Sequence, residues 1–95
     1  DYPHVALDLN NLAVLLEKKG NLKDAEPLHR ESLSIRKKAL GEDHPDVAQS
    51  LNNLAMLLQK KGDLKGAEQL YRESLAIRKK ALGDDHPDVA LSLNN

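Results

Sequence analysis

Apolar residues recur along the chain at steps of three and four, which is the spacing of one face of an α-helix. In the segment that begins at Pro45 they are Val47, Ala48, Leu51, Leu54, Ala55 and Leu58. Pro45 suits the first helical turn, with Asp43 or His44 as the cap. The Lys-Lys-Gly sequence at 60–62 is a stop signal, because cations favour the last turn and glycine the position beyond it. The pattern predicts a helix over about 45–61.

A second helix is predicted directly after the first. Asp63 is suited to cap it. Its broad apolar face is formed by Leu64, Ala67, Leu70, Tyr71, Ser74, Ile77 and Ala81. Gly83 marks its end. Because only about two residues link the two helices, the pair is predicted to be antiparallel.

The helix pair is repeated with a period of 42 residues. Residues 1–42 align with 43–84 without a gap and share 30 identical positions, and residues 85–95 match 43–53 at 10 of 11 positions. A single pair cannot bury its apolar face alone, so stacked pairs in an α-solenoid are expected. The sequence therefore predicts an all-α fold with three parts. These are unit 1 (1–42, helices about 3–19 and 22–40), unit 2 (43–84, helices about 45–61 and 64–82) and a first-helix fragment of a third unit (85–95).

The small residues of each unit resemble the tetratricopeptide repeat in order and spacing. In unit 2 they are Leu54, Ala55, Leu58, Gly62, Ala67, Tyr71, Ser74 and Leu75. HEAT and armadillo repeats have similar periods, but Ala55 and Ala67 stand where the helices of this repeat cross closely. The long unit, with its Leu-Asn-Asn-Leu-Ala and His-Pro-Asp-Val-Ala segments, is similar to the repeats of kinesin light chain. The resemblance implies helix-turn-helix repeats stacked as a right-handed superhelix.

The resemblance also implies a peptide-binding site, because the first helix of each unit lines a concave groove in that family. The expected groove residues are Leu7, Asn10, Asn11, Val14 and Glu17 from unit 1, Gln49, Asn52, Asn53, Met56 and Gln59 from unit 2, and Leu91 and Asn94 beyond them. An asparagine amide has two donors and an acceptor, enough to hold an extended peptide backbone. The alternative is that one asparagine of each pair bonds to a neighbouring helix and stabilises the stack.

Composition reduces the number of functions that the sequence supports. Charged residues make up 31% of the chain, yet the formal net charge is −1, which gives no electrostatic basis for binding nucleic acid or an anionic membrane. There is no cysteine. The serines all lie within helical runs and the glycines are isolated, so neither an activated nucleophile nor a phosphate-binding loop is indicated. We expect a protein that is not an enzyme and needs no cofactor.

Two charged patterns have both a chemical and a structural interpretation. The Asp-His-Pro-Asp clusters at 43–46 and 85–88 contain metal-ligating residue types, but their place at each unit boundary favours helix capping. The basic runs at 36–38 and 78–80 could bind phosphate, but their place near helix ends favours interaction with the helix dipole. We expect no metal site and no phosphate site.

Two functions remain open from the sequence. The first is a scaffold that binds a protein or peptide of unknown identity in the groove. The second is a structural module that stacks end to end or exchanges helices, with homo-association through exposed repeat ends. A cytoplasmic location is the expectation from the lack of a signal peptide and of cysteine.

Overall fold

A computed structural model describes residues 2–82, which form four α-helices. They are α1 (Tyr2–Lys18), α2 (Leu22–Leu40), α3 (Pro45–Lys61) and α4 (Leu64–Leu82). Helix α1 packs on α2, α3 packs on α4, and α2 packs on α3, so the two helix pairs stack side by side. The predicted fragment of a third unit, with Leu91 and Asn94, lies outside the described residues.

The starts of α2, α3 and α4 are each fixed by a side chain that accepts an otherwise unpaired backbone N–H. Asn21 and Asp63 accept from the N–H three residues further on, at 3.3 and 3.0 Å. His44 Nδ1 accepts from the N–H of Asp46 at 3.0 Å, so histidine is the cap before Pro45. After α3, Gly62 is left-handed with φ 91°, a conformation that favours glycine and lets the chain turn back into α4.

The two helices of each pair cross at small residues. Ala13 and Ala25 are completely buried between α1 and α2, and Ala55 and Ala67 are 0% and 3% exposed between α3 and α4. Side chains this small let the helix backbones approach closely. The periodic face predicted for α3 is buried along its whole length; it comprises Val47, Ala48, Leu51, Leu54, Ala55 and Leu58.

A buried serine adds a polar link within each pair. Ser32 Oγ of α2 donates to the carbonyl of Ala6 at 2.8 Å, and Ser74 Oγ of α4 donates to the carbonyl of Ala48 at 2.9 Å. Both hydroxyls are fully buried, so a hydrogen bond is needed to offset the cost of removing them from water. The same bond at the same place in both units fixes how far one helix slides along the other.

Arg36 connects the two units. Its guanidinium is almost buried, and Nη1 donates to Ser50 Oγ at 2.8 Å and to the carbonyl of Asp46 at 3.2 Å. The basic run at 36–38 was expected to interact with the helix dipole, but Arg36 instead ties α2 to the start of α3. An arginine fits this position because its rigid fork can bond several acceptors at once.

Three positions depart from the helical pattern of apolar and helix-forming residues in the sequence. Leu64 and Ala81 were assigned to the apolar face of α4, yet both are exposed, Leu64 by 65%. The equivalent of Leu64 in unit 1, Leu22, is partly buried because it packs against a cluster that includes residues of α3. Pro27 lies inside α2, and the helix continues through it. None of the four helices is long and apolar enough to cross a membrane.

Candidate binding groove

One face of α1 and α3 is exposed in both units. On α1 it includes Leu7, 46% exposed, and Val14, 37% exposed. On α3 the equivalent residues are Gln49, which is exposed, and Met56, 43% exposed. Unit 2 has unit 1 packed against it, and this face still remains open. Stacking therefore does not cover it, and we name it the groove face.

A second apolar face of α1 behaves differently, and we name it the end face. Its residues are Val5, Leu12 and Leu15, which are 44%, 47% and 50% exposed. Their equivalents in unit 2 are Val47, Leu54 and Leu57, each 0% exposed. The end face thus corresponds to the surface of α3 that is buried when α2, the second helix of the preceding unit, packs against it. It is separate from the groove face.

The asparagine pairs lie at the border of the groove face. Asn53 Nδ2 donates to Asn10 Oδ1 at 2.9 Å, so the second asparagine of unit 2 bonds to the first asparagine of unit 1. Asn52 Oδ1 is buried and accepts no hydrogen bond within the part of the chain described. Asn11 is exposed. The bond between Asn53 and Asn10 favours a role in stacking for these two amides, and a ligand role for the pairs remains a prediction.

Glu17 joins three helices at the end of the groove. His29 Nε2 donates to its carboxylate at 2.6 Å, and Lys60 Nζ donates to it at 3.0 Å. Burial acts to raise the pKa of Glu17, but the hydrogen bonds and charges of His29 and Lys60 outweigh burial and lower the pKa below its ordinary value. The carboxylate is therefore ionised at neutral pH, and its oxygens are committed to the protein.

Unit 2 places a neutral pair where unit 1 has Glu17 and His29. Tyr71 OH donates to Gln59 Oε1 at 3.1 Å, and burial raises the pKa of the Tyr71 hydroxyl. Gln59 is exposed, so its amide N–H₂ is available to solvent or a ligand. The two units thus differ at the carboxyl end of their first helix, although they share most of their sequence.

An open hollow of about 340 Å³ lies where the groove face of α1 meets that of α3. Its lining includes Leu7 and Gln49, the Arg36 guanidinium and the Asp46 side chain. Arg36 Nη1 is 3.4 Å from Gln49 Oε1. The sequence did not indicate Arg36 as a site residue, because the arginine belongs to a second helix and looked like one of three surface cations.

The described residues were searched for side chains that could hold a metal ion. Among residues 2–82 no group of three His, Asp or Glu side chains is arranged to hold a metal ion. In the cluster at 43–46, the His44 Nδ1 lone pair already accepts from the backbone. The groove face presents apolar side chains and amides, with Arg36 in the lining of the hollow beside it.

Comparison with known proteins agrees with this architecture. The family model of the tetratricopeptide repeat matches residues 5–80 and 46–95. The crystal structure of BtubC (BKLC) from P. vanneervenii has a similar fold, with a TM-score of 0.89 and 27% identity over 100% of this chain. The match covers 37% of that protein, which is kinesin light chain-like, as the resemblance in the sequence had indicated. No curated protein sequence matches.

Proposed function

Because this chain belongs to the tetratricopeptide repeat family, whose members are typically non-catalytic interaction or repeat scaffolds, we propose that it binds an extended protein segment in its groove. The segment would lie across α1 and α3, along the surface named above as the groove face. Such a surface holds a peptide through pockets for alternate side chains and through polar groups that meet its backbone.

The observation that carries the proposal is that apolar side chains which take no part in stacking are exposed to solvent. Met56 remains 43% exposed even though α3 is packed against both α2 and α4. Val14 occupies the equivalent place on α1 and is 37% exposed. Apolar residues that stay in water at the same site of successive units favour a surface that a partner covers.

The hollow beside Arg36 adds a polar anchor to this apolar surface. Gln49 and Arg36 bring an amide and a guanidinium to its lining, and Leu7 brings an apolar side chain. A peptide carbonyl could accept from either donor, while an apolar side chain fits against Leu7. The preferred partner is therefore an extended segment with apolar side chains, not a compact charged ligand.

The test begins with peptides selected from a random display library against the 95-residue chain. Each selected peptide is then measured by calorimetry against Met56→Glu and Val14→Glu. We expect each variant to weaken binding by at least about tenfold, because a charge replaces an apolar contact. Gln69→Glu, which adds the same charge at an exposed position of α4, is the control and should bind normally.

Equal affinity of the selected peptides for the two groove variants and the wild type would overturn the proposal. Circular dichroism on each variant separates lost binding from lost folding. Because Val14 and Met56 are both substantially exposed, we expect the two variants to keep their melting temperatures.

A further inference from the structure

Helices α1 and α3 lie side by side and parallel over at least two turns. Asn53 Nδ2 donates to Asn10 Oδ1 at 2.9 Å, and Lys60 Nζ donates to Glu17 Oε1 at 3.0 Å. In both bonds the donor follows the acceptor by 43 residues. The two bonds are about 10 Å apart along the helices. The register of α3 against α1 is therefore constant over that length.

This register gives the groove face apolar contacts at a fixed spacing. Val14 lies between the two bonded residues of α1, and Met56 lies at the equivalent place on α3. Helices in contact have axes about 8–10 Å apart. A segment that crosses both helices must therefore carry side chains at that spacing to contact Val14 and Met56 together.

The two extended conformations of a polypeptide differ in this spacing. In a β-strand, side chains on one face recur at every second residue, about 6.6–6.8 Å apart. In a polyproline II helix they recur at every third residue, about 9.3 Å apart. The second repeat falls within the separation of neighbouring helices and the first does not. The spacing of the groove contacts therefore favours a polyproline II segment over a strand.

We propose that the groove face binds an uncharged, proline-rich segment in the polyproline II conformation. Two aliphatic side chains of the segment, three residues apart, would contact Val14 and Met56. The inference rests on the proposed function, because it specifies the conformation and the chemistry of the segment that the groove would hold.

The charge of the groove face complements such a segment. Charged residues make up 31% of the chain, but Glu17 is the one charged residue among the groove positions predicted from the sequence. Its oxygens bond to His29 and Lys60. In the hollow beside the groove face, the side chains of Arg36 and Asp46 have opposite charges. A charged segment would therefore lose hydration at this surface without gaining a partner for its charge.

The hydrogen-bonding groups of the groove face suit a proline-rich backbone. Proline has a carbonyl but no N–H, and a polyproline II helix makes no internal hydrogen bonds, so its carbonyls are free to accept. Asn11, Gln49 and Gln59 are exposed, and each side-chain amide has two N–H donors. The exposed amides can therefore donate to the carbonyls of the segment.

The rigidity of the segment matters because the groove offers few contacts. The chain has no Phe and no Trp, so the groove has no such ring on which prolines could stack. Val14 and Met56 provide aliphatic contacts instead. Affinity then depends on how little conformational entropy the segment loses, and a preformed polyproline II helix loses less than a flexible chain.

The test compares three synthetic peptides of equal length, proline-rich and without charged residues, by calorimetry against the 95-residue chain. In the first peptide two leucines are separated by two prolines, in the second by one proline, and in the third by two glycines. We expect the first peptide to bind at least about tenfold more tightly than the second, because its leucines span both contacts. It should bind at least about fivefold more tightly than the third, because glycine frees the backbone.

Variants of the protein locate the contact. Met56→Glu and Val14→Glu should each weaken binding of the first peptide by at least about tenfold, because each replaces an aliphatic contact with a charge. Gln69→Glu adds the same charge at an exposed position of α4 and should bind this peptide like the wild type.

Three results would overturn the inference. The first is a second or third peptide that binds as tightly as the first peptide. The second is a first peptide that does not bind although library-selected peptides do. The third is equal binding of the first peptide to Met56→Glu and to the wild type, which would place its site elsewhere.

The same measurements separate this inference from the proposed function. If the library-selected peptides lose affinity for Met56→Glu but the proline-spaced peptide has no advantage, the groove binds polypeptides and the polyproline II inference is wrong. If no peptide of either kind depends on Met56 or Val14, both are wrong.

Discussion

His29 and Tyr71 occupy equivalent places in the two units, and each donates to the residue that faces it from the preceding helix. His29 is 1% exposed and bonds to Glu17, whereas Tyr71 bonds to Gln59. The residue before the turn and the residue inside the next helix therefore change together, from a carboxylate and an imidazole to an amide and a phenol. The carboxylate bonds only one nitrogen of the His29 ring, since the buried Nδ1 has no partner within the described residues.

The Glu17 pair predicts how stability depends on pH. The folded state lowers the pKa of Glu17, so the carboxylate stabilises the fold above its unfolded pKa, and this contribution is lost as pH falls through the folded pKa. The double variant Glu17→Gln, His29→Tyr recreates the pair of unit 2. We expect urea unfolding to show a smaller loss of stability below about pH 4 in this variant than in the wild type.

Glu31→Gln is the matched control, because Glu31 is an exposed glutamate of α2. The stability of this control should fall with decreasing pH as it does in the wild type. In both proteins Glu26 also stabilises the fold less as pH falls. The hydrogen bond from Lys61 is the largest influence on Glu26 and lowers its pKa against the opposing effect of burial. An acid profile of the double variant that matches the wild type would contradict the account of Glu17.

Asn10 provides a second test at this scale. Asn10→Ala removes the acceptor of Asn53 Nδ2 and should destabilise the fold by about 1 kcal/mol. Asn10→Asp keeps an oxygen at that place and should lose clearly less. Thermal unfolding measures both. If Asn10→Ala unfolds at the wild-type temperature, the hydrogen bond between Asn53 and Asn10 does not stabilise the stack. A ligand-binding role for Asn10 then becomes the better interpretation.

At the scale of the helices, periodicity predicted the buried face of α3 but wrongly assigned Leu64 and Ala81 to the buried face of α4. The face of α3 that includes Leu51 and Leu54 is buried because the spacing of its apolar residues lets one orientation of the helix hide all of that face. Arg36 could not be found this way. Its role depends on Ser50 and a carbonyl of another helix, and nothing in a run of three cations distinguishes the one that points inward.

The apolar residues of α1 show a second limit on what can be predicted from the sequence. Leu7 and Val14 belong to the groove face, and Leu12 and Leu15 belong to the end face. Because α1 is apolar on several sides, periodicity alone cannot say which residues a partner covers. The distinction appears only when the exposure of each residue is compared with that of its equivalent in the second unit.

Helix α2 carries a local weakness that α4 lacks. Pro27 has no N–H to donate to the carbonyl of Lys23, and proline inside a helix costs about 3 kcal/mol. Pro27 is exposed, and unit 2 has Gln69 at the equivalent position. We expect Pro27→Gln to stabilise the chain by about 1–3 kcal/mol and to raise the melting temperature by at least about 4 °C.

The reverse change in the other unit is the control for this prediction. Gln69→Pro places the ring at the same turn of α4 and should lower the melting temperature. If Pro27→Gln leaves the melting temperature unchanged or lowers it, the helix has already accommodated the proline without cost, and the difference between the units lies elsewhere.

At the scale of the whole molecule, comparing each residue with its equivalent in the next unit distinguishes two kinds of surface. The groove face is open in both units and is available to a partner along the array. The end face is exposed on α1, whereas its equivalent on α3 is buried. The proposed peptide site therefore lies on the surface that packing between the two units leaves open.

The most direct measurement of the groove proposal is an amide chemical-shift map of the isotope-labelled chain with a selected peptide. The account predicts the largest shifts along α1 and α3 around Leu7, Val14, Gln49 and Met56, with small changes on the outer turns of α2 and α4. Shifts concentrated on α2 and α4, or confined to the end face, would contradict it.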